Sequence, residues 1–145
     1  MSFPEKKRWK QTGRGKSPSF LALPHTMLSS EAWATLSGTE VKMLIELARQ
    51  FNGRNNGAFR ASWEYLKGHG WISKSTIQNV LKSLEDKQWT KKTRQGGRDK
   101  RCTLYAVTWL PINASNNADE DAHNHAEERV ASHAWKENRL PRKSG

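Results

Sequence analysis

Apolar residues in the middle of this chain recur twice with helical spacing and twice with alternating spacing. Val41, Leu44, Ile45, Ala48 and Phe51 fall at i, i+3, i+4, i+7 and i+10, one stripe of a helix. Just ahead, Ser37-Gly38-Thr39-Glu40 has capping-box spacing, in which a serine oxygen and a glutamate carboxylate each satisfy a backbone N–H that the first turn leaves unpaired. The predicted helix starts there and ends at the turn-forming Asn52-Gly53. Ile77, Val80, Leu81 and Leu84 make a second stripe, opened by Ser73-Lys74-Ser75-Thr76. Either serine can cap it: Ser75 with Gln78 forms a capping box, whereas Ser73 leaves Lys74, Ser75 and Thr76 in the first turn.

Shorter elements fill in around these two helices. Phe20 to Pro24 reads as an extended lead-in, and Ser30 caps a short helix carrying Ala32, Trp33 and Leu36. Asn52 to Gly57 is a loop leading into a short strand at 58–61, and its two glycines lack the Gly-Lys-Ser/Thr ending of a phosphate cradle. Ser62 caps a helix from Trp63 to Lys67 that breaks at Gly68-His69-Gly70. Helix, glycine turn and capped helix follow in helix-turn-helix order. Trp89 to Thr93 and Cys102 to Trp109 read as strands, the latter with Tyr105, Val107 and Trp109 alternating against Leu104, Ala106 and Thr108. The class expected is α+β, three to four helices with a small antiparallel hairpin.

Charge divides the chain into three. Over 145 residues the formal charge is +11, which favours polyanionic partners through Coulomb attraction and counterion release. Residues 1–20 hold Lys6, Lys7, Arg8, Lys10, Arg14 and Lys16 against Glu5 alone, and are expected to be a flexible basic arm. Residues 21–112 carry nearly all the apolar periodicity and are the expected folded domain. Residues 113–145 are of mixed, slightly acidic charge and are expected to be disordered or a frayed helix, with only Ala126, Val130 and Ala134 sharing a stripe. Between 87 and 101 stand Lys87, Lys91, Lys92, Arg94, Arg98, Lys100 and Arg101 with one acid, Asp99. Lysines that protect a sheet edge account for two or three of these. The remainder repel one another in a way an anionic partner relieves.

Catalytic groups are thin, so neither an enzyme nor a cofactor is expected. His123, His125 and His133 stand among acidic residues, but a disordered tail supplies no fixed surroundings for a metal, and none is expected. His25 and His69 read as a lead-in and a turn residue. Cys102, the one cysteine, forms no internal disulfide. No apolar run is long enough to span a bilayer, and the start of the chain lacks the apolar middle of a secretory signal, so a cytoplasmic location is expected. Of seven tryptophans, Trp33, Trp63, Trp71 and Trp109 sit in predicted core elements. Trp9 and Trp135 lie in the expected flexible ends, where an exposed indole marks an interaction site. That supports a second reading, a module that docks on a protein or ribonucleoprotein through its tails or hairpin.

The order helix, short strand, helix, turn, helix, strand, basic loop, strand over residues 39–110 resembles the winged helix-turn-helix family. Ser73-Lys74-Ser75-Thr76-Ile77 running into Val80-Leu81-Lys82-Ser83-Leu84-Glu85, then Trp89-Thr90-Lys91-Lys92, is similar to the recognition helix and wing of phage and mobile-element regulators and of plasmid or phage replication proteins. The resemblance implies a non-catalytic double-stranded DNA binder, either a transcriptional regulator or a replication-initiation factor. By position it implies base contacts from Lys74, Ser75, Thr76, Gln78 and Asn79. Backbone or wing contacts would come from Lys82, Lys91, Lys92, Arg94, Arg98, Lys100 and Arg101, supplemented by Lys6, Lys7, Arg8 and Lys10 in the arm. The long dimerisation helix that many such regulators append is not evident, so the oligomeric state stays open.

Overall fold

The computed structural model describes residues 18–97, 101–115 and 122–140, and among these serine side chains start four of the five α-helices. Helix α1, His25–Leu28, follows Pro24 without a side-chain cap, and Ser30 caps α2, Glu31–Ala34. The capping box at Ser37 forms in full and opens α3, Gly38–Ala48. Ser62 caps α4, Trp63–Leu66, which tightens into a 3-10 turn at Lys67–His69 and reverses at Gly70, where φ is +89°. Ser73 caps α5, Lys74–Asp86. Ser75 lies inside that helix with its hydroxyl 3.0 Å from Ser73 Oγ, so the choice between the two serines falls to Ser73.

The stripe of α5 is buried as read, through Ile77, Val80, Leu81 and Leu84. That of α3 is rotated from the expectation: Met43, Leu44, Leu47 and Ala48 are buried, while Val41 and Ile45 are only half-buried. The helix ends at Ala48, leaving Phe51 beyond it. Because α3 is apolar around most of its circumference, spacing alone selects no face, and the neighbours decide.

Three strands form one antiparallel sheet in the order β1-β3-β2: β1 is Phe59–Arg60, β2 is Thr90–Arg94 and β3 is Leu104–Val107. Phe59 stands opposite Tyr105 and Thr90 opposite Val107, with a register break between Lys92 and Arg94. Thr108 and Trp109, expected in the last strand, turn away from it. Phe59, Tyr105 and Val107 share one core with Met43, Leu47, Ile77 and Leu84. Asn56, fully buried, ties the loop ahead of β1 to the end of β3: its amide nitrogen donates to the carbonyls of Val107, Leu110 and Pro111, and its Oδ1 accepts from the Val107 N–H. The loop's polar residues thus do structural service. The architecture among the described residues is α+β, five helices and a three-stranded antiparallel sheet, with no helix long and apolar enough to cross a membrane.

Leu104 and Ala106, on the alternate face of β3, are also fully buried. Hydrogen bonds run the returning C-terminal segment past this sheet. The Asn124 N–H donates to the Thr93 carbonyl, Glu128 and Ile112 bond to each other, and the His133 N–H donates to the Thr108 carbonyl. Trp135 then stacks on Trp89, centroids 5.1 Å apart and planes at 14°, and the Leu140 N–H reaches Glu31. Residues 122–140 thus run along the sheet through these contacts, where disorder or a frayed helix was expected. Ala126 and Val130 are exposed rather than parts of a helical stripe, and Trp135 is a core residue rather than an exposed indole. A short 3-10 turn, Ala134–Glu137, is the regular structure of this segment.

His123 anchors the same segment. Its Nε2 lies 2.7 Å from where a Cβ on Gly57 would stand, so Gly57, at φ +121°, is needed for the close approach. The Asn113 carbonyl faces Nε2 at 3.1 Å and the His125 N–H faces Nδ1 at 3.2 Å, which fits the neutral ring protonated on Nε2. Burial lowers the His123 pKa, with the His125 and Arg94 charges adding to it and the bond to Asn113 opposing it. Above the ordinary histidine value of 6.5 both folded and unfolded chains hold the ring neutral. Below it the unfolded chain takes up a proton that the folded chain refuses, so this contribution to stability falls with pH until the lowered folded-state value is passed. Thermal midpoints measured from pH 8 to pH 5 are expected to decline less steeply for His123→Gln than for the unmodified protein.

Candidate nucleic-acid interface

Helix α5 is held from behind, which leaves its other side to solvent. Its apolar stripe packs on α3 and the sheet, and a polar clamp fixes its far end. Glu40 Oε2 accepts from Ser83 Oγ at 2.6 Å, Glu40 Oε1 lies 2.9 Å from Lys87 Nζ, and Lys87 also donates to the Thr35 carbonyl. Rotation of α5 would break all of these. Lys74, Ser75, Thr76, Gln78, Asn79 and Lys82 are exposed along the outward side. The first turn carries no acidic residue, so its partial positive charge is not neutralised from within. Lys74 Nζ stands 5.6 Å from the centre of the Trp63 ring, joining the leading end of α5 to α4.

Strands β2 and β3 pair on either side of Gly96 and Gly97. The Gly96 N–H donates to Thr103 Oγ1 at 3.0 Å and the Gly97 N–H to the Arg101 carbonyl at 3.0 Å. A Cβ on Gly96 would fall 2.4 Å from the Thr103 nitrogen, so the hairpin closes only because glycine stands there. Between this hairpin and α5 lies a cleft of about 470 Å³ with Lys74, Gln78 and Arg101 at its polar side and Trp63, Cys102 and Tyr105 among its other walls. Burial, with the Glu85 charge adding, pushes the Tyr105 phenol up to about 12, so it stays protonated near neutral pH.

The seven basic residues of 87–101 do not act alike. Lys87 is committed to Glu40. Lys92 reaches Glu85 at 3.8 Å and Gln95 Oε1 at 3.1 Å while remaining exposed. Arg94, expected at the wing surface, is only 9 % exposed and points inward, donating to the carbonyls of Cys102 and Ala122. It is a structural residue rather than a surface contact, because the Cys102 carbonyl of the hairpin and the Ala122 carbonyl of the returning segment accept its hydrogen bonds. Lys91 and Arg101 are exposed, and no ion pair among the described residues engages them or Lys74 or Lys82. Arg98 and Lys100, like Lys6, Lys7, Arg8 and Lys10 and the indole of Trp9, lie outside the described residues.

Two residues at this surface were not singled out from sequence. Trp63 was read as core, yet it is half-buried and lines the cleft. Ile72 stands almost fully exposed just ahead of the α5 cap. The signal for Ile72 was its place immediately before a helix-capping serine. Among the described residues no group of three or more His, Cys, Asp or Glu side chains is arranged to hold a metal ion. No protein-family model, curated protein or solved structure matches this chain.

Proposed function

We propose that this chain is a winged helix-turn-helix protein that binds double-stranded DNA without catalysis, α4 and α5 forming the helix-turn-helix and the loop between β2 and β3 the wing. Helix α5 enters the major groove, with Lys74, Ser75, Thr76, Gln78 and Asn79 facing base edges and Lys82 a phosphate. The wing meets the backbone or minor groove through Lys91, Lys92 and Arg101, with Arg98 and Lys100 continuing the same basic run. The observation that carries this reading is the side-by-side exposure of an amide-rich helix face and a cationic hairpin, both anchored by one core. Amides suit that place, because Gln and Asn pair bidentately with adenine, and lysine reaches guanine O6 and N7. In keeping with the family resemblance, the protein acts as a transcriptional regulator or replication-initiation factor of a phage or mobile element.

Selection of bound duplexes from a random DNA pool, followed by titration at several salt concentrations, tests the reading. Affinity is expected to fall steeply with salt, and a flat response would sink the proposal. Gln78→Ala and Asn79→Ala are each expected to cost about 1–3 kcal/mol for the selected site and to relax preference at one position. Lys82→Ala and Arg101→Ala are expected instead to weaken binding to all duplexes alike and to reduce the salt slope by about one each. Identical behaviour of the two pairs would remove the division of labour between helix and wing.

A further inference from the structure

Ile72 is the apolar residue that the folded body leaves out. It occupies the position before the Ser73 cap, from which an apolar side chain ordinarily packs on the fourth residue of the helix as a hydrophobic staple. That fourth residue is Ile77, which is 4 % exposed, whereas Ile72 is 92 % exposed. The staple is not made, and a β-branched side chain stands in water at the leading end of α5. Its neighbour Trp71 is buried in the core, while Lys74, Ser75 and Thr76 after it present polar groups.

We propose that Ile72 reads thymine by packing on its C5-methyl group in the major groove, an inference that rests on the DNA reading above. The N-terminal end of a recognition helix is the part that reaches base edges. On those edges the four base pairs offer hydrogen-bond donors, acceptors and one apolar group, the thymine methyl. Ser75, Gln78 and Asn79 answer the donors and acceptors; for the methyl the same end of the helix offers the small Thr76 methyl and the larger Ile72 side chain. Among the described residues the exposed large hydrophobics are Phe20, Ile72, Val130 and Leu140, and only Ile72 adjoins this helix. Lys74, two residues on, and Lys82, farther along the same exposed side of α5, match the charge of a duplex rather than that of an apolar protein surface.

The experiment uses the full chain and a duplex that it has selected from a random pool, with each thymine replaced in turn by deoxyuridine, which pairs identically but lacks the methyl. One such replacement is expected to weaken binding about fourfold, the effect of withdrawing roughly one buried methyl group. Ile72→Ala is expected to bind the unmodified duplex about fourfold more weakly as well, to lose nothing further on that replacement, and to keep an unchanged thermal midpoint. Neutral replacement at every thymine, or a penalty that persists in Ile72→Ala, overturns the role of Ile72 while leaving DNA binding intact. A marked fall in thermal midpoint overturns it in favour of packing. A chain that selects no duplex at all overturns the DNA reading and this inference together.

Discussion

Trp135→Ala is expected to lower the unfolding free energy by about 3–5 kcal/mol, the usual cost of truncating a buried tryptophan. Trp135 is 4 % exposed although it lies 46 residues beyond Trp89, on which it stacks. Trp89, fully buried, also meets Trp33 edge-on at 5.7 Å and Trp109 at 6.3 Å, so it is the hub of an indole cluster drawn from four parts of the chain. Removing Trp135 opens one face of that hub. Beyond Trp135, the Asn138 side chain, which donates to the Lys87 carbonyl, and the Leu140 N–H, which reaches Glu31, then hold the segment without the ring stack. Urea unfolding followed by circular dichroism measures the loss. Trp135→Phe, which keeps a stacked ring, is expected to cost about half as much or less. A change below about 0.5 kcal/mol for alanine, the scale of an ordinary surface substitution, would mean that the C-terminal segment does not belong to the folded body in solution.

Lys87→Met is expected to destabilise the protein by about 2–4 kcal/mol, because it leaves the Glu40 carboxylate buried without its cation. Glu40 is 5 % exposed and accepts from the Ser37 N–H, Ser83 Oγ and Lys87 Nζ at 2.8, 2.6 and 2.9 Å. Burial alone would raise its pKa, but those three hydrogen bonds and the Lys87 charge outweigh it, and the net shift is downward. Lys87 is about one-third exposed, which keeps the expected loss below that of a fully enclosed pair. Combining Lys87→Met with Glu40→Gln is expected to recover part of the loss, since a neutral amide needs no cation, and a double-mutant cycle in urea isolates the coupling. The pH dependence has a definite sign. A carboxyl held below its ordinary value of 4.5 contributes stability that is complete above that value and is lost as pH falls through the lower folded-state value. The unmodified protein is therefore expected to lose stability on acidification below 4.5 more steeply than the double variant. Because the clamp joins the start of α3 to the end of α5, weakening it also loosens the angle at which α5 is presented.

Features carried by consecutive residues were legible without coordinates. The capping box at Ser37 and Glu40, the serine caps at 30 and 62, the turn at Gly70 and the buried stripe of α5 depend on hydrogen bonds and spacing within a few residues, and all are present as read. The outward side of α5 followed from the same periodicity, since fixing one stripe inward turns Gln78 and Asn79 outward. The face of α3 was less legible, because Val41, Met43, Leu44, Ile45 and Leu47 surround the helix with apolar groups.

Pairings between distant residues were decided elsewhere. Arg94 reads as one more cation of a basic run, and nothing adjacent to it announces that the Ala122 carbonyl, 28 residues on, will receive its guanidinium. Lys87 stands in the same run yet belongs to Glu40, 47 residues earlier. Residues 122–140 lack periodicity because they form no long helix or strand. Their order comes from single anchors, His123 over Gly57 and Trp135 on Trp89, each of which needs a partner already positioned by the sheet. By itself, then, the sequence determined the local elements, the charge and the polar face of α5, all set by interactions within a helical turn or a hairpin. Only the tertiary structure decided which cations stay at the surface and which chain segment covers the far side of the sheet, because those outcomes depend on burial supplied by residues tens of positions away.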